Sequence, residues 1–170
     1  MTSTEFNEKV RMINYRITIN GSLEDVWKTW TTEEGIKGFF APACNIDLRI
    51  DGLYEILFFP ERKAGFRGAE GMRIIALEPL KMFSFTWNQT PELPDIRPQR
   101  TLVSLKFRKI EEQKTELFFT QTGWGDSPDW DKAYDYFRAA WGDIVLYRLQ
   151  HYFDNGPINW DDPPSRVRPS

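Results

Sequence analysis

His151 and Cys44 are the chain's one histidine and one cysteine, the residue types that most often supply a general base or a thiolate nucleophile near neutral pH. Neither has a partner in the sequence. No Ser/His/Asp arrangement, phosphate-binding glycine loop or dinucleotide fingerprint occurs. His151 falls near the end of a helical run, where an imidazolium suits the negative helix terminus, and reads as a surface or capping residue. Cys44, near a strand start, reads as a small buried hydrophobe. One cysteine excludes an internal disulfide and a multi-thiolate centre, and no zinc site is expected. The sequence therefore assigns no catalytic residue, no metal and no cofactor.

Two charged residues interrupt apolar runs: Glu55 in "LYEILFF" and Arg73 in "GMRIIAL". An inward Glu55 would have its pKa raised by desolvation and become a proton donor or ligand anchor. Alternation equally allows it on the outer face, and Arg73 carries the same two readings. The aromatic residues are the stronger signal. Tyr54, Trp87, Tyr134 and Trp141 join ring surface to a hydrogen-bonding atom, and Gln121 adds an amide. With Phe85, Phe137 and Val145 they are the candidate lining of an apolar ligand site; the alternative is a core they simply fill.

The elements that must position these residues follow from periodicity. "RMINYRITIN" (11–20) alternates Ile13, Tyr15, Ile17 and Ile19 against polar neighbours, a half-buried strand. "GSLEDVWKTWTTEEGIKGFFAP" (21–42) places Leu23, Val26, Trp27 and Trp30 on one helical stripe behind the N-cap Ser22, with Asp25 as the acidic member of a capping box. A second short helix ends near Gly38. Further strands are expected over 44–50 and 53–60 (a hairpin about Asp51-Gly52), 72–78, 81–88, 100–110 and 115–126. The segment 89–99 holds three prolines and reads as a long surface loop. After Pro128 the period becomes helical through Tyr134, Phe137, Trp141, Ile144, Val145, Leu149 and Tyr152, until Gly156-Pro157 ends it. The expected domain spans 1–156, and 157–170 forms an extended or mobile tail, with Trp160 the one residue expected to dock.

Consecutive strands with short links imply an antiparallel sheet, and helices segregated from them imply an α+β fold. About six to seven strands wrapped round one long C-terminal helix leave room at the open end, which the two short helices close. At 170 residues the chain fits one domain. Aromatic residues reach 15% and net charge is −3, with no basic run, so a nucleic-acid partner is not expected. No apolar stretch long enough for a membrane span occurs, and a cytoplasmic protein is expected.

"SLEDVWKTWTTEEGIKGFF", "IDLRIDGLYEI", "GMRIIALEPLKMFSFTWN" and "TLVSLKFRKIEEQKTELFFTQTGWGD", followed by the long helix, resemble the START-like (SRPBCC, helix-grip) superfamily. Within it they are most similar to the group of the C-terminal domain of the activator of Hsp90 ATPase. The resemblance covers residues 10–155. It departs where Phe39-Phe40 replaces a Trp-Phe pair and where Gly52 replaces paired glycines, so ligand identity does not transfer. Three functions follow as expectations: noncatalytic binding of a hydrophobic or aromatic small molecule between sheet and helix, a co-chaperone or other protein-interaction role with a chaperone as partner, and a polyketide cyclase-like activity. With the first strand starting near residue 10, a co-chaperone action would fall to this domain alone. The resemblance also leaves a homodimer open.

Overall fold

Strict alternation along Ile13–Ile19 makes strand β1, and the serine and threonine after it start two helices. In the computed structural model, which describes residues 11–166, the Ser22 Oγ accepts from the Asp25 N–H (3.1 Å) at the start of α1, Leu23–Thr31. Thr32 repeats the device for α2, Glu33–Phe39, accepting from Gly35 N at 3.0 Å. Residues 1–10 and 167–170, the ends of the expected domain and tail, lie outside the described residues.

The hairpin about Asp51-Gly52 forms β2, Ala43–Ile46, antiparallel to β3, Tyr54–Leu57, with Cys44 opposite Ile56 and Asn45 opposite Glu55. Then come β4, Gly68–Ala69, β5, Ile74–Glu78, β6, Met82–Trp87, β7, Thr101–Glu111, and β8, Lys114–Thr122. They pair as an antiparallel five-stranded sheet, β1-β8-β7-β6-β5, and a three-stranded one, β2-β3-β4. The α+β helix-grip fold is as expected, but the single sheet of six to seven strands is corrected to two. The expected strand over 44–50 stops at Ile46 because the chain turns: Arg49 N donates to Asp47 O, and Asp51 adopts φ 62°. Gly52 follows so tightly that a Cβ would lie 1.9 Å from Asp47 O, which reserves the position for glycine. The bridge Leu53–Arg73 joins the two sheets, with Asp51 N donating to Ile74 O, Ile74 N to Gly52 O and Tyr54 N to Met72 O.

The inner sheet face carries Phe83, Phe85, Val103, Leu105, Leu117 and Phe119, each without solvent exposure. Against it lies the C-terminal helix, in three parts: α3, Pro128–Ala139, a π-helical segment, Ala140–Val145, and α4, Leu146–Asn155. The sequence reads as one continuous helix here. Yet its buried side chains Phe137, Trp141, Val145 and Leu149 follow three steps of four residues, and each step drifts about 40° round a regular helix. The wider π turn recovers that drift, so all four reach the sheet. Gly142 permits the close approach: a Cβ there would meet the Tyr15 hydroxyl at 2.6 Å.

The tail is extended, as its composition dictates, but it lies against the domain. Ile158 N donates to Gly38 O (2.8 Å), and its side chain is buried. Trp160 docks as expected, its indole N–H donating to Lys37 O at 2.7 Å. Farther on, Arg148 Nε donates to Pro164 O and Arg166 N to Asp143 O. Over the described part of the tail, the missing apolar period is made good by backbone and side-chain hydrogen bonds.

Candidate functional site

Three of the eight candidate residues meet in one hydrogen-bonded unit. Trp141, carried inward by the π segment, donates from Nε1 to Gln121 Oε1 on β8 (2.9 Å). Gln121 Nε2 donates to the Thr101 Oγ1 on β7 (2.9 Å), whose hydroxyl donates to the Trp87 carbonyl (3.3 Å). All four residues are buried. Every polar atom of a buried amide needs a partner, and here donor and acceptor of Gln121 are both used, so the unit fixes the rotamer of Trp141.

Rings surround that unit. Trp141 lies 4.6 Å from Phe119 and 5.1 Å from Trp87, centroid to centroid. Phe40, at the end of α2, stacks on Trp87 at 5.8 Å with a 20° interplanar angle and meets Trp141 edge-on at 5.8 Å. Phe58 closes the group 5.9 Å from Phe40. The short helices therefore do seal the end of the sheet with aromatic surface. The same rings fill the space that the sequence reading left open between sheet and helix.

Tyr54 and Phe85 form an adjoining cluster 4.5 Å apart, connected to the first by Phe85 and Trp87 at 5.8 Å. The Tyr54 hydroxyl donates to Trp30 O at 2.7 Å, and complete burial pushes its pKa well up, so it stays a neutral donor. Val145 and Phe137 are buried on the same helix, Phe137 against Trp124 (6.1 Å). Tyr134 packs edge-on against the same Trp124 ring (5.3 Å), while its hydroxyl donates to Met12 O (3.4 Å) and its ring lies under the Arg11 guanidinium, on the flank of α3 that meets the start of β1.

Both ambiguous charges face outward. Glu55 accepts from Asn45 Nδ2 (2.9 Å) and from Gly71 N (2.8 Å), while the exposed Arg73 reaches Asp51 O at 3.3 Å. Cys44 is buried, and burial first, then the nearby Glu33 charge, pushes its thiol up to about 11. A thiol so shifted is predominantly protonated at neutral pH. His151 sits 6.5 Å from the Tyr147 ring, and among the described residues its Nδ1 is buried without a hydrogen-bond partner. Among the described residues no group of three or more His, Cys, Asp or Glu side chains forms a metal site, and no helix is long and apolar enough to cross a membrane.

Sequence reasoning missed Phe40 and Phe58 as members of the wall, and it missed Gln89. Gln89 is 1% exposed, and neither its Nε2 nor its Oε1 has a hydrogen-bond partner. Its position two residues past Trp87 continues the alternation of β6, a signal that the surrounding prolines obscured. Beside it, a surface depression of ≈ 290 Å³ opens between the 58–70 and 88–100 segments, bordered by Phe66, Asn88, Pro94 and Arg97. A larger one, ≈ 490 Å³, lies on the far side between α2 and α4, at Glu33, Lys37 and Tyr152.

A family model for Activator of Hsp90 ATPase homolog 1-like proteins matches residues 20–154. The chain belongs to this family. Activator of Hsp90 ATPase homolog 1-like architecture also appears among solved structures. A protein of Mesorhizobium loti has 21% identity, TM-score 0.67, and a match covering 87% of this chain and 100% of that one. The Aha1 dimer of Colwellia psychrerythraea has 21% identity and TM-score 0.64 over 86% and 98% of the two chains. DynU16, from the dynemicin biosynthetic locus, has 14% identity and TM-score 0.62, over 86% of this chain and 48% of its own. These likenesses establish the helix-grip fold alone. No curated protein sequence matches the chain.

Proposed function

We propose that this family member binds a hydrophobic or aromatic small molecule, without catalysis, at the end of the interior walled by Phe40, Trp87 and Trp141. One observation carries this reading: Trp141, one of the two indoles of the wall, stands on π-helical backbone rather than on regular helix. Such segments concentrate at functional sites. A π turn can revert to α geometry by shifting one residue, and that shift moves Trp141 away from Trp87 and admits a ring in its place.

The test is titration with an environment-sensitive apolar dye. One-site saturable binding is expected in the wild type. Trp141→Ala should cost about 3–5 kcal/mol if the ring is only core, and less, with a larger change in dye binding, if it borders a site that opens. Absence of saturable binding by the folded wild type would leave an ordinary packed core.

A second reading, a protein-interaction surface, rests on Leu48, Ile50 and Ile75, all exposed beside the turn that divides the two sheets. It predicts stimulation of an Hsp90-type ATPase that is lost in Ile50→Asp. The dimer of the Colwellia relative makes self-association the companion measurement, by sedimentation.

A further inference from the structure

We infer that Gln89 is the polar anchor of the interior site, and that the molecule recognised there presents a donor and an acceptor side by side on an aromatic or apolar body, as a primary carboxamide or lactam does. The inference rests on the ligand-binding reading above and narrows it.

Gln89 is buried to 99%, and both ends of its amide lack a partner. A buried amide left unpaired opposes folding, and the usual remedy is an apolar side chain of the same shape. The chain satisfies its other buried amides: Gln121 is fully used within the Trp141 unit, and Asn88, next in sequence, donates to Gly68 O at 3.0 Å. Trp30 Nε1 and His151 Nδ1 are unpaired as well, but among the described residues Gln89 alone leaves both a donor and an acceptor unpaired, and it lies two residues past Trp87.

The backbone around it is held as a cover. Arg97 donates through Nη1 to the Gln89 carbonyl and through Nη2 to Gly65 O (2.8 Å) and Gly68 O (3.2 Å). One guanidinium thus ties the 89–99 loop across the ≈ 290 Å³ depression to the 58–70 segment. All three acceptors are carbonyls, with Glu70 the nearest carboxylate at 3.9 Å. Releasing Arg97 unlocks the loop above Gln89 without breaking the sheet. A guest with N–H and C=O adjacent pairs both amide atoms in a cyclic, two-bond arrangement, while its ring replaces Trp141 against Trp87. A carboxylate offers only acceptors and leaves the amide oxygen unpaired; a hydrocarbon leaves both ends so.

Two size-matched probes, 2-naphthamide and 2-ethylnaphthalene, titrated into the intact protein and into Gln89→Met, test this. The wild type should prefer the amide by at least about tenfold, the discrimination expected when a site's polar groups go unpaired with the wrong guest. Gln89→Met should lose the preference, keep affinity for the hydrocarbon, and melt at a higher temperature than the wild type. A preference that survives Gln89→Met, equal affinities in the wild type, or a lowered melting temperature would each overturn the anchor. If 2-ethylnaphthalene binds at one site but no preference appears, the anchor alone fails. If neither probe nor the apolar dye binds the folded wild type, the ligand-binding reading fails with it.

Discussion

The loop 89–99 and the tail 157–166 share a composition, three prolines each and few apolar residues, yet they are fastened in opposite senses. The loop brings its own arginine: Arg97 reaches back to the loop's first carbonyl, Gln89, and across to Gly65 and Gly68. The tail brings carbonyls and a ring instead, and the arginine comes from the helix beneath. Arg148 donates to Pro164 O and lies 5.7 Å above the Trp160 indole, while Trp160 itself reaches α2. Burial lowers the pKa of both guanidiniums, and an arginine so shifted remains charged at neutral pH. The consequences differ as well. The tail pairs its polar groups and anchors Ile158, whereas the loop shuts an unpaired amide beneath it. One segment is a brace, and the other is a cover.

Deleting 158–170 is the strongest way to break the comparison. It uncovers Ile158 contacts and the Trp160 seat and should cost about 3 kcal/mol in urea unfolding, since each large apolar side chain contributes about 1.5–3 kcal/mol when fully buried. If the tail only brushes the surface, the midpoint will not move. Arg97→Ala should cost less, about 2 kcal/mol, because it removes charged hydrogen bonds from carbonyls that water can then reach. Hydrogen exchange should show protection lost across 89–99 while the tail keeps its own. Arg97→Lys cannot span the same three acceptors and should behave much like the alanine variant.

Arg148→Lys comes next, at about 1 kcal/mol, with exchange quickening at 158–161 and not at 89–99. The smallest effect at neutral pH concerns Cys44, which lies under α2, where the tail docks. With the thiol held up to about 11 against a usual 9.0, its alkylation at pH 8 should be slow in the intact protein and faster after tail deletion. The linkage has a definite sign. A raised folded-state value leaves this contribution complete below pH 9 and removes it as pH climbs toward 11, so unfolding midpoints should fall over that window.

Much of the frame was legible because periodicity reports burial. The alternation of Ile13 to Ile19, the stripe of Val26, Trp27 and Trp30, and the caps Ser22 and Gly156 all lie where hydropathy and turn chemistry put them. Trp87, Gln121 and Trp141 were recognisable as candidates because each carries a polar atom on a residue of the apolar face. What escaped depends on contacts between distant residues. The division of the sheet turns on the space at Gly52, the order of the two proline-rich segments on arginine–carbonyl bonds that have no period, and the burial of Gln89 on a loop folding back over it. Tyr134 shared the helical stripe of Trp141, but helical spacing alone could not tell the face toward the sheet from the flank toward β1.

The π turn at Ala140–Val145 also bears on how this chain is to be lined up with its relatives. A π turn holds one residue more than the α turn it replaces. Beside a relative whose last helix is unbroken, every position from Leu146 onward is offset by one, although the backbones superpose. A gap-free alignment would set Leu149 against a solvent-facing neighbour and make a core position look variable. Placing a single-residue insertion between Ala140 and Val145 restores the match, and the presence or absence of that insertion sorts related sequences into those that build this wall and those that do not.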